Sequence, residues 1–172
     1  MGGERVMPAG GMGGGEAVEV YISASWKQRV RVRTLSRRLR EAGLDVFDFT
    51  DPACRRTPEV PPEWFPEAFD PKLHDYKEYL SRPEWQAAVR ENREALERCD
   101  AVLLLLPCGI DATADWAYAV ALGKPTAVVG HPPAGERSPV HLWADEILPD
   151  DDACVPWLQQ MWCASGRAAA EG

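Results

Sequence analysis

The sequence predicts an α/β fold: a doubly wound sandwich, with helices on both faces of a mainly parallel sheet of about five strands. Three observations carry this expectation. Short apolar runs alternate with helical segments along the chain. The first two runs are separated by one helix's length, which makes a right-handed unit of two parallel strands and a crossover helix. Ala101 to Leu106 is a continuous apolar run, as expected of a central strand covered on both faces.

The elements follow in order. Residues 1–16 are dominated by glycine with scattered methionine and read as a leader with too little apolar surface to offset its ordering entropy. Val18 to Ile22 alternates β-branched residues and reads as the first strand, and Ser23, Ala24 and Ser25 supply loop chemistry. From Trp26 to Ala42, Val32, Leu35, Leu39 and Ala42 recur at intervals of three and four before Gly43, the pattern of an amphipathic helix and its stop. Leu44 to Phe49 reads as the second strand. Residues 51–82 carry repeated prolines among Trp64, Phe65, Phe69 and Tyr76, a composition that favours a lid over a spacer.

A helix is expected over Pro83 to Cys99, with Pro83 in its first turn and Ala88, Val89 and Leu96 facing inward. After the central apolar strand, Pro107, Cys108 and Gly109 break the run, Asp111 to Gly123 forms an alanine-rich helix, and Thr126 to Val129 a further strand. The last helix spans roughly Asp152 to Cys163, and 164–172 reads as a loose tail. Residues 17–163 thus form one domain of the flavodoxin or Rossmann kind. A chain of 172 residues is long enough for one such core and too short for two.

Composition narrows the function. A formal charge of −8 argues against nucleic acid as a partner, since a polyanion requires clustered Lys and Arg to displace its counterions. The arginines between Arg29 and Arg40 fall around a helix whose other face is apolar, and read as a solvated surface. Five cysteines without paired spacing and three scattered histidines match neither a disulfide framework nor a metal site, and no cofactor is implied. No apolar run reaches membrane-spanning length and no secretory signal opens the chain, so the expectation is a cytoplasmic protein with a small-molecule partner and no membrane.

In an open parallel sheet, ligands bind outside the carboxyl ends of the strands, near the point where strand order reverses. Three loops qualify: Tyr21 to Trp26, Thr50 to Pro52, and Pro107 to Asp115. Each holds hydroxyls or carboxylates and no lysine.

The third loop and the helix after it also carry a resemblance. Cys99 and Asp100, the apolar strand, Pro107, Cys108 and Gly109, then Asp111, Asp115, Trp116, Tyr118 and the run Ala119 to Pro125 are similar to the signature of nucleoside 2-deoxyribosyltransferases and their N-glycosidase relatives. Val20, Tyr21 and Ile22 resemble that family's first strand, so the likeness spans about Val18 to Val129. The resemblance implies a nucleoside or nucleotide substrate and cleavage or transfer at its N-glycosidic bond. The family's nucleophile is a glutamate before the alanine-rich helix, and the matching position here is Asp115, shorter by one methylene. Asp111 or Asn92 would orient the base or sugar, Tyr21 would meet the sugar, and Trp26 or a lid aromatic would stack on the base. Ser23 and Ser25 would hold a 5′-phosphate at a helix N-terminus, and Gly109, in the third loop, would also line the substrate site. Family members commonly complete each site with a neighbouring subunit, so a homo-oligomer is also implied.

Each of these residues has a plainer reading. Asp111 and Asp115 are also what a helix start uses to complement its dipole, and Ser23 and Ser25 are common N-caps. Tyr21 sits on a strand where core packing is an equal alternative, and Trp116 and Tyr118 read as core or interface. A nucleophilic Cys108 would need His131 or His141 beside it. Two further functions stay open. Tyr21 to Trp26 with Leu39 to Val46 resembles the opening of Toll/interleukin-1 receptor domains, some of which cleave NAD at its glycosidic bond with a helix-borne glutamate, again met only by Asp115. A nucleotide-binding or interaction module that has lost the glutamate is the third.

Overall fold

The computed structural model describes residues 18–51, 54, 70–136 and 138–170, the last seven of these by backbone alone. The glycine-rich leader and most of the proline-rich segment, with Trp64, Phe65 and Phe69, lie outside the described residues.

Five strands, β1 (Glu19–Ser23), β2 (Asp45–Phe47), β3 (Ala101–Leu105), β4 (Thr126–Val129) and β5 (Glu146–Leu148), form one parallel sheet in the order β2-β1-β3-β4-β5. The helices are α1 (Arg29–Glu41), the short α2 (Tyr76–Leu80), α3 (Pro83–Arg98), α4 (Ile110–Ala121) and α5 (Cys154–Ala170). Among the described residues no helix is long and apolar enough to cross a membrane. The chain leaves β1 toward β2 and returns past β1 to β3, so strand order reverses between β1 and β3. That is where a ligand crevice opens in such sheets.

Alternation along the strands sorts the core into two layers. Val20, Ile22, Leu103, Leu105 and Val129 point toward α1 and α5, where Val32, Leu35, Leu39, Cys154 and Leu158 are fully buried. Tyr21, Val102, Leu104, Leu106 and Val128 point the other way, onto Ala95, Leu96, Ala112, Trp116 and Ala119 of α3 and α4. Each fully buried aliphatic side chain contributes roughly 1.5–3 kcal/mol. The expected spacing of Val32, Leu35 and Leu39 is therefore what docks α1, and Gly43 at φ +86° ends it as read.

The structure corrects several expectations. Trp26–Gln28 is a 3-10 turn, and the α-helix begins only at Arg29. On α3 the buried stripe is Ala87, Glu91, Ala95 and Leu96, while Val89 is 65% exposed. Helical phase buries a glutamate, Glu91, in that stripe and turns Val89 outward. The arginines of α1 do not simply face solvent: Arg33 donates to the Thr50 carbonyl (2.9 Å), Arg40 to that of Val46 (3.2 Å), and Arg38 pairs with Asp152 (2.7 Å). The last helix runs to Ala170, beyond Cys163, consistent with the helix propensity of its alanines. Residues 70–82, at the end of the proline-rich segment, include α2, whose Asp75 caps it and whose Tyr79 is buried against His74 and Trp85. Trp157 is buried, Trp162 packs partly against the core, and Trp143 is exposed.

Candidate active site

At the reversal point, β1 and α4 are tied together by two side chains from the same face of the strand. The Tyr21 hydroxyl donates to Asp115 Oδ2 at 3.0 Å, and the Ser23 hydroxyl donates to the Ala112 carbonyl at 2.8 Å. Residues two apart on a strand thus meet residues three apart on a helix, which only the period of each element allows. Tyr21 is 1% exposed and stacks on Phe47 with ring centroids 5.3 Å apart. Its two readings merge, because the ring is core and the hydroxyl reaches the site.

Asp115 is half-buried in the second turn of α4. Burial raises its carboxyl pKa to about 6; the Tyr21 hydrogen bond pulls downward and the charge of Asp111, four residues before it on the same helix face, pushes upward. Such a carboxylate is ionised at neutral pH yet easily protonated below it. Tyr21 lies well above the usual phenol range, first through burial and then through the Asp115 charge, so it remains a donor. Asp111 itself is exposed in the first turn.

Gly109 is the N-cap of α4 and has no side chain to offer, so the first amides of the helix are not capped by it. Ser25 accepts from the Lys27 amide at 3.3 Å and caps the 3-10 turn. Trp26 faces Phe49 at 6.0 Å, an aromatic pair above the ends of β1 and β2. Asn92 is half-buried on α3, without a hydrogen bond to Tyr21 or Asp115. Tyr21, Ser23, Asp111, Asp115 and Gly109 are therefore gathered around the start of α4, Ser25 and Trp26 sit at the end of β1, and Asn92 stands apart from the hydrogen-bonded group.

Two groups escaped the sequence reading. Phe49 is the last residue of the second strand expected from the sequence, whereas β2 ends at Phe47 and the Phe49 ring lies beyond it, against Trp26. Glu91, 6% exposed on the α3 face that covers Tyr21's side of the sheet, shares the four-residue spacing of Ala87 and Ala95. Cys108 meets the Thr113 hydroxyl at 3.3 Å, while His141 lies edge-on to Trp116 with centroids 6.1 Å apart. His141 therefore has its own packing partner. Among the described residues, no group of three or more His, Cys, Asp or Glu could hold a metal ion.

No protein-family model and no curated protein matches the sequence. Among solved structures, the chain is similar to a 2-deoxyribosyltransferase from the psychrotolerant bacterium Bacillus psychrosaccharolyticus. That match has 18% identity and a TM-score of 0.54, covering 79% of this chain and 89% of the other. It is also similar to a CMP N-glycosidase from Clostridium botulinum, at 13% identity over 83% of this chain and 98% of the other, but that TM-score of 0.45 is too low to carry an argument. The first comparison shows a shared fold.

Proposed function

We propose that this chain cleaves or transfers at the N-glycosidic bond of a (deoxy)nucleoside or nucleotide, with Asp115 as the nucleophile. The observation that carries the reading is the 3.0 Å contact between Tyr21 and Asp115 at the reversal point of the sheet. The fold shared with a 2-deoxyribosyltransferase supports it.

An Asp115 oxygen attacks the anomeric carbon as its bond to the base nitrogen breaks, and the electron pair leaves with the base. The cationic character that builds on the sugar is offset by the carboxylate, and a glycosyl ester results. A water or a second base then attacks the same carbon, releasing Asp115 and giving hydrolysis or transfer. Tyr21 holds one carboxylate oxygen and fixes the direction of the other. Asp111, one turn earlier, or Asn92 from α3 orients base or sugar. Trp26, with Phe49, offers a ring for stacking. Ser25, Gly109 and the uncapped amides of α4 are suited to a polar end of the substrate, whereas Ser23, its proton given to Ala112, serves as an acceptor only.

The test is free-base release, followed by chromatography, from 2′-deoxynucleosides, their 5′-monophosphates and NAD, beside Asp115→Ala. Release from a deoxynucleoside or monophosphate, lost in the variant, is the expected result. Release from NAD alone would favour the glycohydrolase reading. No release, with ligand-induced thermal stabilisation that survives the substitution, would leave a binding module in which the missing methylene has ended catalysis.

A further inference from the structure

Three successive carbonyls at the end of β3 are gripped by two side chains from adjoining turns at the start of the first helix. Gln28 Nε2 donates to the Leu105 carbonyl at 3.2 Å and to that of Pro107, and Arg31 Nη1 donates to the Leu106 carbonyl between them at 2.6 Å. Arg31 also donates to Gln28 Oε1 at 2.8 Å. That bond sets the amide's orientation, oxygen toward the guanidinium and nitrogen toward the carbonyls. The remaining edge of the guanidinium is taken by Asp151, with Nε 3.0 Å from both carboxylate oxygens and Nη2 2.6 Å from Oδ1. Gly130 lies close behind, at φ +88°, where a Cβ would stand 3.4 Å from the Leu106 carbonyl and 3.5 Å from Arg31 Nη2.

The gripped segment leads through Cys108 and Gly109 straight into α4, whose second turn carries Asp115. A core-docking helix would need none of this, because Val32, Leu35 and Leu39 already bury its apolar face. The grip instead fixes the direction in which α4 leaves the sheet.

We propose that Gln28, Arg31 and Asp151 are positioning residues for Asp115, forming a relay from the start of the C-terminal helical segment to the loop that aims α4. The consequence for turnover rests on the glycosidic reading above; the consequence for Asp115 itself does not. The groups that face Asp115 are Tyr21 from β1 and Asp111 from its own helix. A shift of α4 by about 1 Å is enough to cost two orders of magnitude in rate. It also breaks the contact with Tyr21, the interaction that lowers the Asp115 pKa.

The test compares Arg31→Lys, Gln28→Ala and Asp151→Asn with Arg38→Gln. The last removes the Arg38–Asp152 pair, which joins the same two regions without touching the loop. In the full-length protein, the Asp115 carboxyl is titrated by carbon-detected NMR, assigned with Asp115→Asn, and kcat and KM are measured on whichever substrate the wild type cleaves. Expected in the first three variants are a higher Asp115 midpoint and a kcat lower by about 10–100-fold at little-changed KM, with Arg38→Gln like wild type. An unmoved midpoint in all three overturns the proposal, even if kcat falls, as does an equal shift in Arg38→Gln. If wild type cleaves nothing, the glycosidic reading fails while the titration still decides the positioning. Should Arg31→Lys not fold, Gln28→Ala, which leaves the Arg31–Asp151 pair intact, gives the decision.

Discussion

The two ends of the sheet use the same kinds of side chain for opposite purposes. At the amino end, three carboxylates are matched. Glu19 takes both arms of Arg98 (2.6 and 2.8 Å), Asp100 accepts the Glu19 amide (2.9 Å), and Asp145 accepts the Thr126 amide (2.9 Å). There Lys124 also donates to the Glu97 carbonyl in the last turn of α3 (2.8 Å) and to that of Cys99 just past it (2.6 Å). At the carboxyl end Asp115 faces a phenol and another carboxylate, and burial holds its pKa near 6. Of the motif's polar residues, Asp100 and Lys124 fasten strands and helix ends, while Asp115 meets the Tyr21 hydroxyl and the charge of Asp111. One half of the motif thus reads as structural and the other, on the proposed function, as chemical.

Substitutions at the two ends should separate these halves. The largest effect expected is from Asp115→Ala, which should lower base release by at least about 10³-fold in steady-state assays while the far-ultraviolet circular dichroism stays native. Tyr21→Phe should cost about 10–100-fold, the worth of a hydrogen bond to a charged group, and move the acid limb of the pH–rate profile up from its midpoint near 6, because the lost bond lowered the Asp115 pKa. If Tyr21→Phe leaves that limb in place, the phenol is core packing only.

A third comparison concerns stability. Asp115 has a folded pKa of about 6 against an ordinary 3.8. Its protonated form favours the fold below about pH 4, and that contribution is lost as the pH rises through 6. Asp115→Asn should therefore melt with the wild type at pH 4 and be more stable at pH 8, by on the order of 2 kcal/mol, measured by thermal denaturation at both pH values. The smallest effect belongs to the amino end. Glu19→Gln should cost about 0.5–1 kcal/mol in chemical denaturation with no change in turnover, and the loss should shrink with added salt.

How much of this was legible follows from what each feature depends on. β1, α1, β3 and β4 were readable because period and burial coincide there. β5 was not singled out, since Glu146, Ile147 and Leu148 followed by Pro149 are too few to show a period. Val89 was placed inward because apolar character was weighed above helical phase; it faces solvent, and the buried face runs through Ala87, Glu91 and Ala95. Asp115, Asp111 and Tyr21 were legible through the motif and the rule for strand ends. The hydrogen bond between Tyr21 and Asp115 joins residues 94 apart, and the bond between Arg31 and Asp151 spans 120. No local pattern encodes such distances; they exist only once the sheet order is set.

The sheet tapers toward its margins. Its inner strands β1 and β3 have five residues each, and its outermost, β2 and β5, have three. A margin of three residues offers an incoming strand few backbone groups to pair with, and exposed Asp45 and Glu146 open the two margins with negative charge. Aggregation by strand addition therefore has poor purchase at either side. The sequence that sets the reversal point in the middle of the sheet also guards its borders.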